Sequence, residues 1–400
     1  MRVSFLGCCY SEIQKELFLK NSKRGYQFAA QNFQELLING FISNSISLNV
    51  LTVPPLSTFP MGYRSPFVRD ADFVIGNKTL GRSLGFLNIP FFKNPSEKKA
   101  IDLLEQWSQN EQGNCGIAND GIVVYGLHLH LMSIAVTYKN KHPKSKLCMI
   151  IPDLPEFMAC NKYYKKLGLQ KKNISKIYGL LPFFDSYVLL SEKMIDRLPV
   201  TRPYVVVEGL ANYHEVDDEP KLENKVIMYT GALSIRYGLL DLLDAFIGIK
   251  DNNYRLWLCG NGDAVPNIRN YMQDDSRIEY LGMKPHDEVV KLQKRATLLV
   301  NPRHSNEEFT KYSFPSKTME YLVSGTPTVM CHLDCIPPEY DEHLFYFEDE
   351  SVDGMRSKIE EICRMPLIEL NRKGNKARCF IQKEKSPQMQ VNKILELLNK

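Results

Sequence analysis

The sequence predicts an α/β protein made of two doubly wound, Rossmann-like domains that face one another across a cleft. Three observations carry that expectation. At 400 residues the chain exceeds the size at which one hydrophobic core keeps growing, so it should divide. Short apolar runs alternate with stretches of helical periodicity from end to end, which is the pattern of parallel strands joined by helical crossovers. Between the halves lies a polar, acidic, proline-containing stretch suited to a connection.

In the first half RVSFLG reads as a strand and leads into a helix near 12–38. The runs ISLNVLTV, ADFVIGN, GIVVYGL, KLCMIIPDL and SYVLLS follow as further strands. In the second half KVIMYTG precedes the amphipathic LLDLLDAF, and RLWLCG precedes a helix near 264–274. IEYLG, ATLLVNP, PTVMC and LFYFED complete that series. The domains are expected at 1–206 and 225–378, with the connection at 207–224. Residues 379–400 read as one helix that crosses back to pack on the first domain. Ligands of such sheets bind at the carboxyl ends of the strands.

Composition narrows the class. An apolar fraction of 44% with 24% charged residues is that of a globular protein and argues against large-scale disorder. The ten cysteines are scattered, without paired spacing, which suits a reducing compartment. The apolar stretch at the N-terminus is too short for a signal peptide, and no run of eighteen apolar residues occurs, so a cytoplasmic location is expected. Residues 1–200 carry 24 Lys and Arg against 15 Asp and Glu; the remainder carries 26 against 31. The basic stretches 139–146 and 161–172 fit a peripheral seat on the inner face of an anionic membrane, or an anionic acceptor. A solvated helix face with snorkelling lysines explains them equally well. No nucleic-acid-binding motif accompanies the charge.

The densest chemical signal is LVNPRHSNEEFTKYSFPSKTMEYLVSGTPTV, residues 299–329. A strand should end at Asn301–Pro302, and a helix should begin at Pro315, where the missing proline amide would be unpaired anyway. Gly325 and Pro327 should stop it. The amides of Ser316, Lys317 and Thr318 would then be free at a positive dipole end, with Lys317 adding a full charge. That is an anion site suited to a diphosphate. Glu320, a turn further in, could accept hydrogen bonds from vicinal hydroxyls. The bland alternative is a solvated helix start with Glu320 as a surface charge. Two further loops follow strands: one holds Gly231, Arg236 and Gly238, the other Gly260 and Gly262. Glycine lets backbone approach a ligand, and Arg236 could reach phosphate oxygens, although ordinary turn geometry accounts for each loop taken singly.

Together these residues resemble glycosyltransferase family 4, a GT-B group of retaining enzymes, and especially its capsular and exopolysaccharide members. The resemblance is strong over 225–330 and fades to topology elsewhere. It implies that YTGALSIRYG meets a nucleotide-sugar donor, UDP- or GDP-linked, and that Glu320 binds the ribose as the second of a glutamate pair. The first glutamate of that pair is replaced here by Tyr312; Glu308, or Glu307 beside it, could supply the carboxylate. The family's usual lysine before the loop glycine is Tyr237, which leaves Arg236 and Lys317 as the phosphate cations. The implied reaction transfers a sugar with retention to a lipid-linked saccharide in surface polysaccharide synthesis, without a metal or other cofactor.

On the first domain, Asp153 stands where the family often places a catalytic His or acidic residue at the cleft. A helix N-cap is the alternative, since a proline follows closely. Gly7, Tyr63 and Arg64 lie on loops that could touch an acceptor. His128 and His130 lack a third ligand and read as packing or capping residues. Cys331, His332 and Cys335 lack a partner pair, so zinc is not expected. Asp217–Asp218 reads as a solvated pair in the connection. Two rival functions stay open: a catalytically degenerate GT-B scaffold that binds nucleotide sugar or glycan, motivated by Tyr312, and a nucleotide-sugar epimerase, for which no acid/base set is evident.

Overall fold

The computed structural model describes residues 1–23, 28–75, 79–90, 92–110, 120–157, 168–199, 201–212 and 220–400. It divides into two compact units: Met1–Leu210 together with Pro387–Lys400, and Ala211–Ser386.

The strands of the first unit are β1 (Arg2–Gly7), β2 (Ser47–Thr52), β3 (Phe67–Val68), β4 (Ala71–Ile75), β5 (Thr79–Ser83), β6 (Phe86–Leu87), β7 (Asp120–Tyr125), β8 (Lys146–Ile151), β9 (Ser186–Leu189) and β10 (Tyr204–Val206). Its helices are α1 (Glu12–Asn21), α2 (Phe28–Ser43), α3 (Glu97–Asn110), α4 (Leu129–Lys141) and α5 (Leu169–Leu180). Eight strands form one sheet in the order β10-β9-β8-β7-β1-β2-β5-β4. Central strands such as β8, buried from Leu147 to Ile151, are apolar on both faces because helices cover both. Two expectations are corrected here. ADFVI is an antiparallel edge strand on β5, and its alternating exposure shows why. The single helix expected near 12–38 is α1 and α2. Ser11 starts α1 with a reciprocal capping box to Gln14.

The second unit holds β11 (Lys225–Ala232), β12 (Tyr254–Asn261), β13 (Ile278–Gly282), β14 (Leu298–Asn301), β15 (Thr328–Cys331) and β16 (Phe345–Phe347). Its helices are α6 (Leu239–Gly248), α7 (Val265–Asp274), α8 (His286–Arg295), α9 (Ser316–Ser324), α10 (Val352–Arg364) and α11 (Leu367–Glu384). All six strands are parallel, in the order β13-β12-β11-β14-β15-β16. Counted from the first strand of this sheet, the order is 3-2-1-4-5-6, the doubly wound dinucleotide-type arrangement. Residues of β11 alternate between two cores. Ile227 and Tyr229 pack with Leu242, Phe246 and Ile359, whereas Val226 and Met228 pack with Trp257, Leu299 and Tyr321.

The last helix is α12 (Pro387–Asn399), so the single helix expected over 379–400 is broken. Lys385 closes α11 through its amide to Ile381, and Pro387 then disfavours helical geometry at Ser386. Within the first unit α12 packs on α2. At Gly40 an added Cβ would lie 2.4 Å from the Pro387 carbonyl oxygen.

Candidate functional site

Strand order locates the site of the second unit. Its topological switch point lies between β11 and β14, where the chain leaves in opposite directions and a crevice opens at the carboxyl ends. These two strands pair over a short length, Ile227 with Leu298 and Met228 with Leu299. Beyond that they separate, and a side chain takes over the lost backbone partner. The Thr230 amide donates to the Tyr321 hydroxyl at 2.8 Å, and that hydroxyl donates to the Thr230 carbonyl at 3.1 Å. Gln293 donates to the Thr230 hydroxyl at 3.2 Å. Helix α9 is thereby fixed to the end of β11. Burial pushes the Tyr321 phenol well above its ordinary pKa, so it stays a neutral donor.

One residue past Thr230 stands Gly231, with φ of +128°, opposite Gly260 of β12, with φ of +142°. Both conformations favour glycine. A Cβ on Gly260 would fall 1.9 Å from the Gly231 carbonyl oxygen, and one on Gly231 would fall 2.9 Å from Cε of Lys317. The Lys317 stem therefore runs across Gly231, and its ammonium reaches Glu320 at 2.8 Å. Gly231 and Gly260, expected on two separate loops, meet Lys317 and Glu320, expected at one helix start, in one place.

Several expectations need correction. Pro315 is the N-cap of α9, not its first helical residue, and its side chain offers no cap. The Thr318 amide is not free: it closes a turn on the Pro315 carbonyl at 2.9 Å. The Thr318 side chain is fully buried, its hydroxyl against the Met330 sulfur. The expected anion site at the start of α9 thus narrows to Ser316, which is exposed, and Lys317. Arg236 is not a free phosphate cation. It holds Glu307 with Nη2 at 2.6 Å and Nε at 3.0 Å, and lies 4.0 Å from the Phe309 ring centre. Of the two candidate carboxylates, Glu307 is engaged by Arg236, while the exposed Glu308 opens a short 3-10 turn, Glu308–Lys311. Tyr312 closes that turn and is buried.

Sequence reasoning missed Tyr321, Arg303 and His304. Arg303 and His304 directly follow Pro302 at the end of β14, and that position was itself a usable signal. His304 is held by Asp241 at 2.5 Å on Nε2 and by Glu350 at 3.2 Å on Nδ1, and Glu350 also accepts the Ser305 amide at 3.0 Å. Cys331, at the end of β15, completes a group whose ligand atoms with His304 and Glu350 lie within 4.8 Å of one another. Both ring nitrogens of His304 already face carboxylates, so the group holds the loop after β14 in place. His332 instead meets the Tyr346 ring edge-on, and Cys335 the Ser313 carbonyl, so the cysteine pair noted in the sequence does not converge.

In the first unit the switch point lies between β1 and β7. Gly7 ends β1, and the next amide, of Cys8, donates to Gln34 at 2.7 Å. A Cβ on Gly7 would strike that same Gln34 oxygen at 2.5 Å, so internal packing already accounts for this glycine. Asp153 is exposed, just beyond β8. Burial, and then the Asp153 charge, push the phenol of Tyr125 at the end of β7 above its usual range. Tyr63 is not a surface residue: it is buried, 6.1 Å from the Phe18 ring. Arg64 is exposed, its amide bound to the Asn21 carbonyl. His128 sits at the N-cap of α4 without capping it, and its ring lies 5.8 Å from that of His130. Of the basic stretch 139–146, Lys139 pairs with Asp185 at 2.5 Å and Lys141 with Glu105 at 3.1 Å. Residues 161–167 of the second basic stretch, and Asp217–Asp218, lie outside the described residues. Among the described residues no helix is long and apolar enough to cross a membrane.

The parallel six-stranded sheet and its glycine-lined switch point have a counterpart among known families. Residues 224–365 match the family model for Glycosyl transferases group 1. This matched segment spans the features just described, from β11 through α10. No curated protein matches the chain. Solved structures of low identity share its fold over the full length. Sucrose-phosphate synthase from Thermosynechococcus elongatus is 12% identical, with 100% of this chain and 98% of that one covered and a TM-score of 0.66. Anabaena HepE in complex with UDP is 13% identical, with 100% of each chain covered and a TM-score of 0.62. A mutant of S. aureus TarM in complex with Fondaparinux, α-GlcNAc-glycerol and UDP is 11% identical, with 100% of each covered and a TM-score of 0.62. The fold is GT-B, with two Rossmann-like units, and the matched segment lies within the second.

Proposed function

We propose that the chain is a retaining glycosyltransferase that moves a sugar from a nucleotide-sugar donor to a saccharide acceptor. The observation that carries this reading is Lys317, at the start of α9, laid across Gly231 with its ammonium on Glu320. In glycosyl transfer the departing diphosphate gains charge while the anomeric carbon becomes oxocarbenium-like, so a fixed cation and helix-start amides lower the barrier. Lys317 and the Ser316 and Lys317 amides serve the diphosphate. Glu320, released from Lys317, accepts the ribose hydroxyls. Arg236 joins them by exchanging Glu307 for a phosphate. These groups supply the leaving-group charge from the protein itself, and we propose that no metal ion or other cofactor is required.

UDP stands in the structures of HepE and TarM named above, and α-GlcNAc-glycerol in that of TarM, which supports UDP as the first nucleotide to try and a saccharide as acceptor. The first unit is assigned to the acceptor, with Asp153 at its rim. A lipid-linked acceptor on the cytoplasmic membrane face, in surface polysaccharide synthesis, follows from the resemblance and the basic first half. A thermal-shift screen against UDP-, GDP- and ADP-sugars tests the donor assignment, because a ligand bound by the folded form alone raises the melting point. One nucleotide class should stabilise the wild type and fail to stabilise Lys317→Ala. Equal stabilisation of both would remove the assignment.

A further inference from the structure

Among the described residues, Arg303 is a guanidinium buried without a counter-ion. It is 8% exposed, and neither Nε nor Nη2 has a hydrogen-bond partner. Among the described residues no ion pair joins it to a carboxylate. Its Cζ lies 4.3 Å from the ring centre of Phe309 and 5.6 Å from that of Tyr237, so it rests over aromatic rings while N–H groups stay unmet. Phe309 also carries Arg236 at 4.0 Å, so one ring serves two like charges. The thiol of Cys335, pushed up to about 12 by burial, and the phenol of Tyr229, also raised by burial, lie close by and are neutral at pH 7. They supply no compensating charge.

Position gives this orphan a direction. Arg303 leaves the carboxyl end of β14, and its neighbour Pro302 abuts Gly238 of the loop after β11, where an added Cβ would meet the Pro302 carbonyl at 2.1 Å. Arg303 thus stands where the two loops of the switch point touch. A buried charge is expensive to maintain unpaired, and a guanidinium does not shed its proton to escape the expense. A fixed fork of unmet donors matches an oxyanion, which it can hold bidentately.

We propose that Arg303 binds an oxyanion of the donor, either the diphosphate or the carboxylate of an acidic sugar. This rests on the reading of the switch point as the donor site. In the free protein the site keeps a charge that its own side chains do not neutralise, and the ligand completes the pair.

The test is calorimetric titration of the full chain, as wild type, Arg303→Met and Arg303→Lys, with UDP, GDP, UDP-glucose and UDP-glucuronate, together with the Tm of each free protein. Methionine fills the slot between the rings without charge, so free Arg303→Met should melt no lower than wild type. Its affinity for the oxyanion ligand should fall about tenfold to a hundredfold. Equal weakening of UDP and both sugar nucleotides places the diphosphate on Arg303; weakening confined to UDP-glucuronate places the sugar carboxylate there. Arg303→Lys, which keeps the charge but not the fork, should fall between. The proposal is overturned if wild type binds these ligands and Arg303→Met binds them equally well. It is also overturned if Arg303→Met melts far lower or fails to fold while Arg303→Lys binds like wild type, since both mark a structural role. If wild type binds none of the four ligands, the donor-site reading fails first and this inference fails with it.

Discussion

The Tyr321 hydroxyl binds both the amide and the carbonyl of Thr230, at 2.8 and 3.1 Å, and so takes the place of the neighbouring strand where β11 and β14 part. A switch point needs its first strand to end cleanly with the following residue poised toward the crevice. Here one phenol ties the end of the strand to the helix that carries Lys317 and Glu320. Removing it leaves two buried backbone groups unmet. Tyr321→Phe should lower stability by about 1–3 kcal/mol in chemical denaturation, with nucleotide affinity falling as α9 loosens. Unchanged stability would mean that another group satisfies Thr230.

Gly231 should tolerate no side chain. Its φ of +128° disfavours any L residue, and a Cβ would press on Lys317 at 2.9 Å. Gly231→Ala should cost at least about 1 kcal/mol and weaken nucleotide binding, both readable from ligand-dependent melting curves. A variant equal to wild type in both would contradict the packing described.

Much of this was legible in the sequence, and what escaped did so for physical reasons. The strands of the second unit stood out because buried parallel strands are unbroken apolar runs, and Gly325, with φ of +78°, ends α9 where the glycine-proline signal placed its end. Lys317 and Glu320 were singled out from the helix start, and the structure places them beside Gly231. Thr318 was misjudged because the first turn closes on Pro315, a bond that depends on backbone geometry rather than residue type. The engagement of Arg236 was not legible because its partner, Glu307, is 71 residues away. Tyr63 looked like a loop residue until Phe18 covered it. Tyr321 carries no local signal of its role, since it acts through a contact set by strand order, and Arg303 is signalled only by its place just after β14.

The half-buried pair His128 and His130 should give stability a pH dependence. Burial pushes them down to about 4 and about 3, below the ordinary value near 6.5. The unfolded chain therefore binds more protons than the folded one between pH 6.5 and about 4. Stability is full above that window and falls as pH drops through it, by up to about 1.4 kcal/mol per pH unit for each group. Urea denaturation across pH 4–7 should show this slope. His130→Asn should flatten it; an unaltered slope would assign it to other groups.

Breaking the Arg236–Glu307 pair should bear on binding more than on folding, because both side chains are substantially exposed. Glu307→Gln should leave the melting temperature within about 0.5 kcal/mol of wild type in equivalent stability. By freeing Arg236 it should tighten nucleotide binding severalfold in calorimetry. Weaker binding would show instead that Glu307 itself contacts the donor.

The central claim is that Lys317, at the start of α9, neutralises a donor diphosphate. Titration of UDP or GDP, whichever the wild type binds, into Lys317→Ala measures it most directly. The account predicts a dissociation constant at least about tenfold higher, as expected for the loss of a charge-assisted contact, with the free protein equally stable. An unchanged dissociation constant would contradict it.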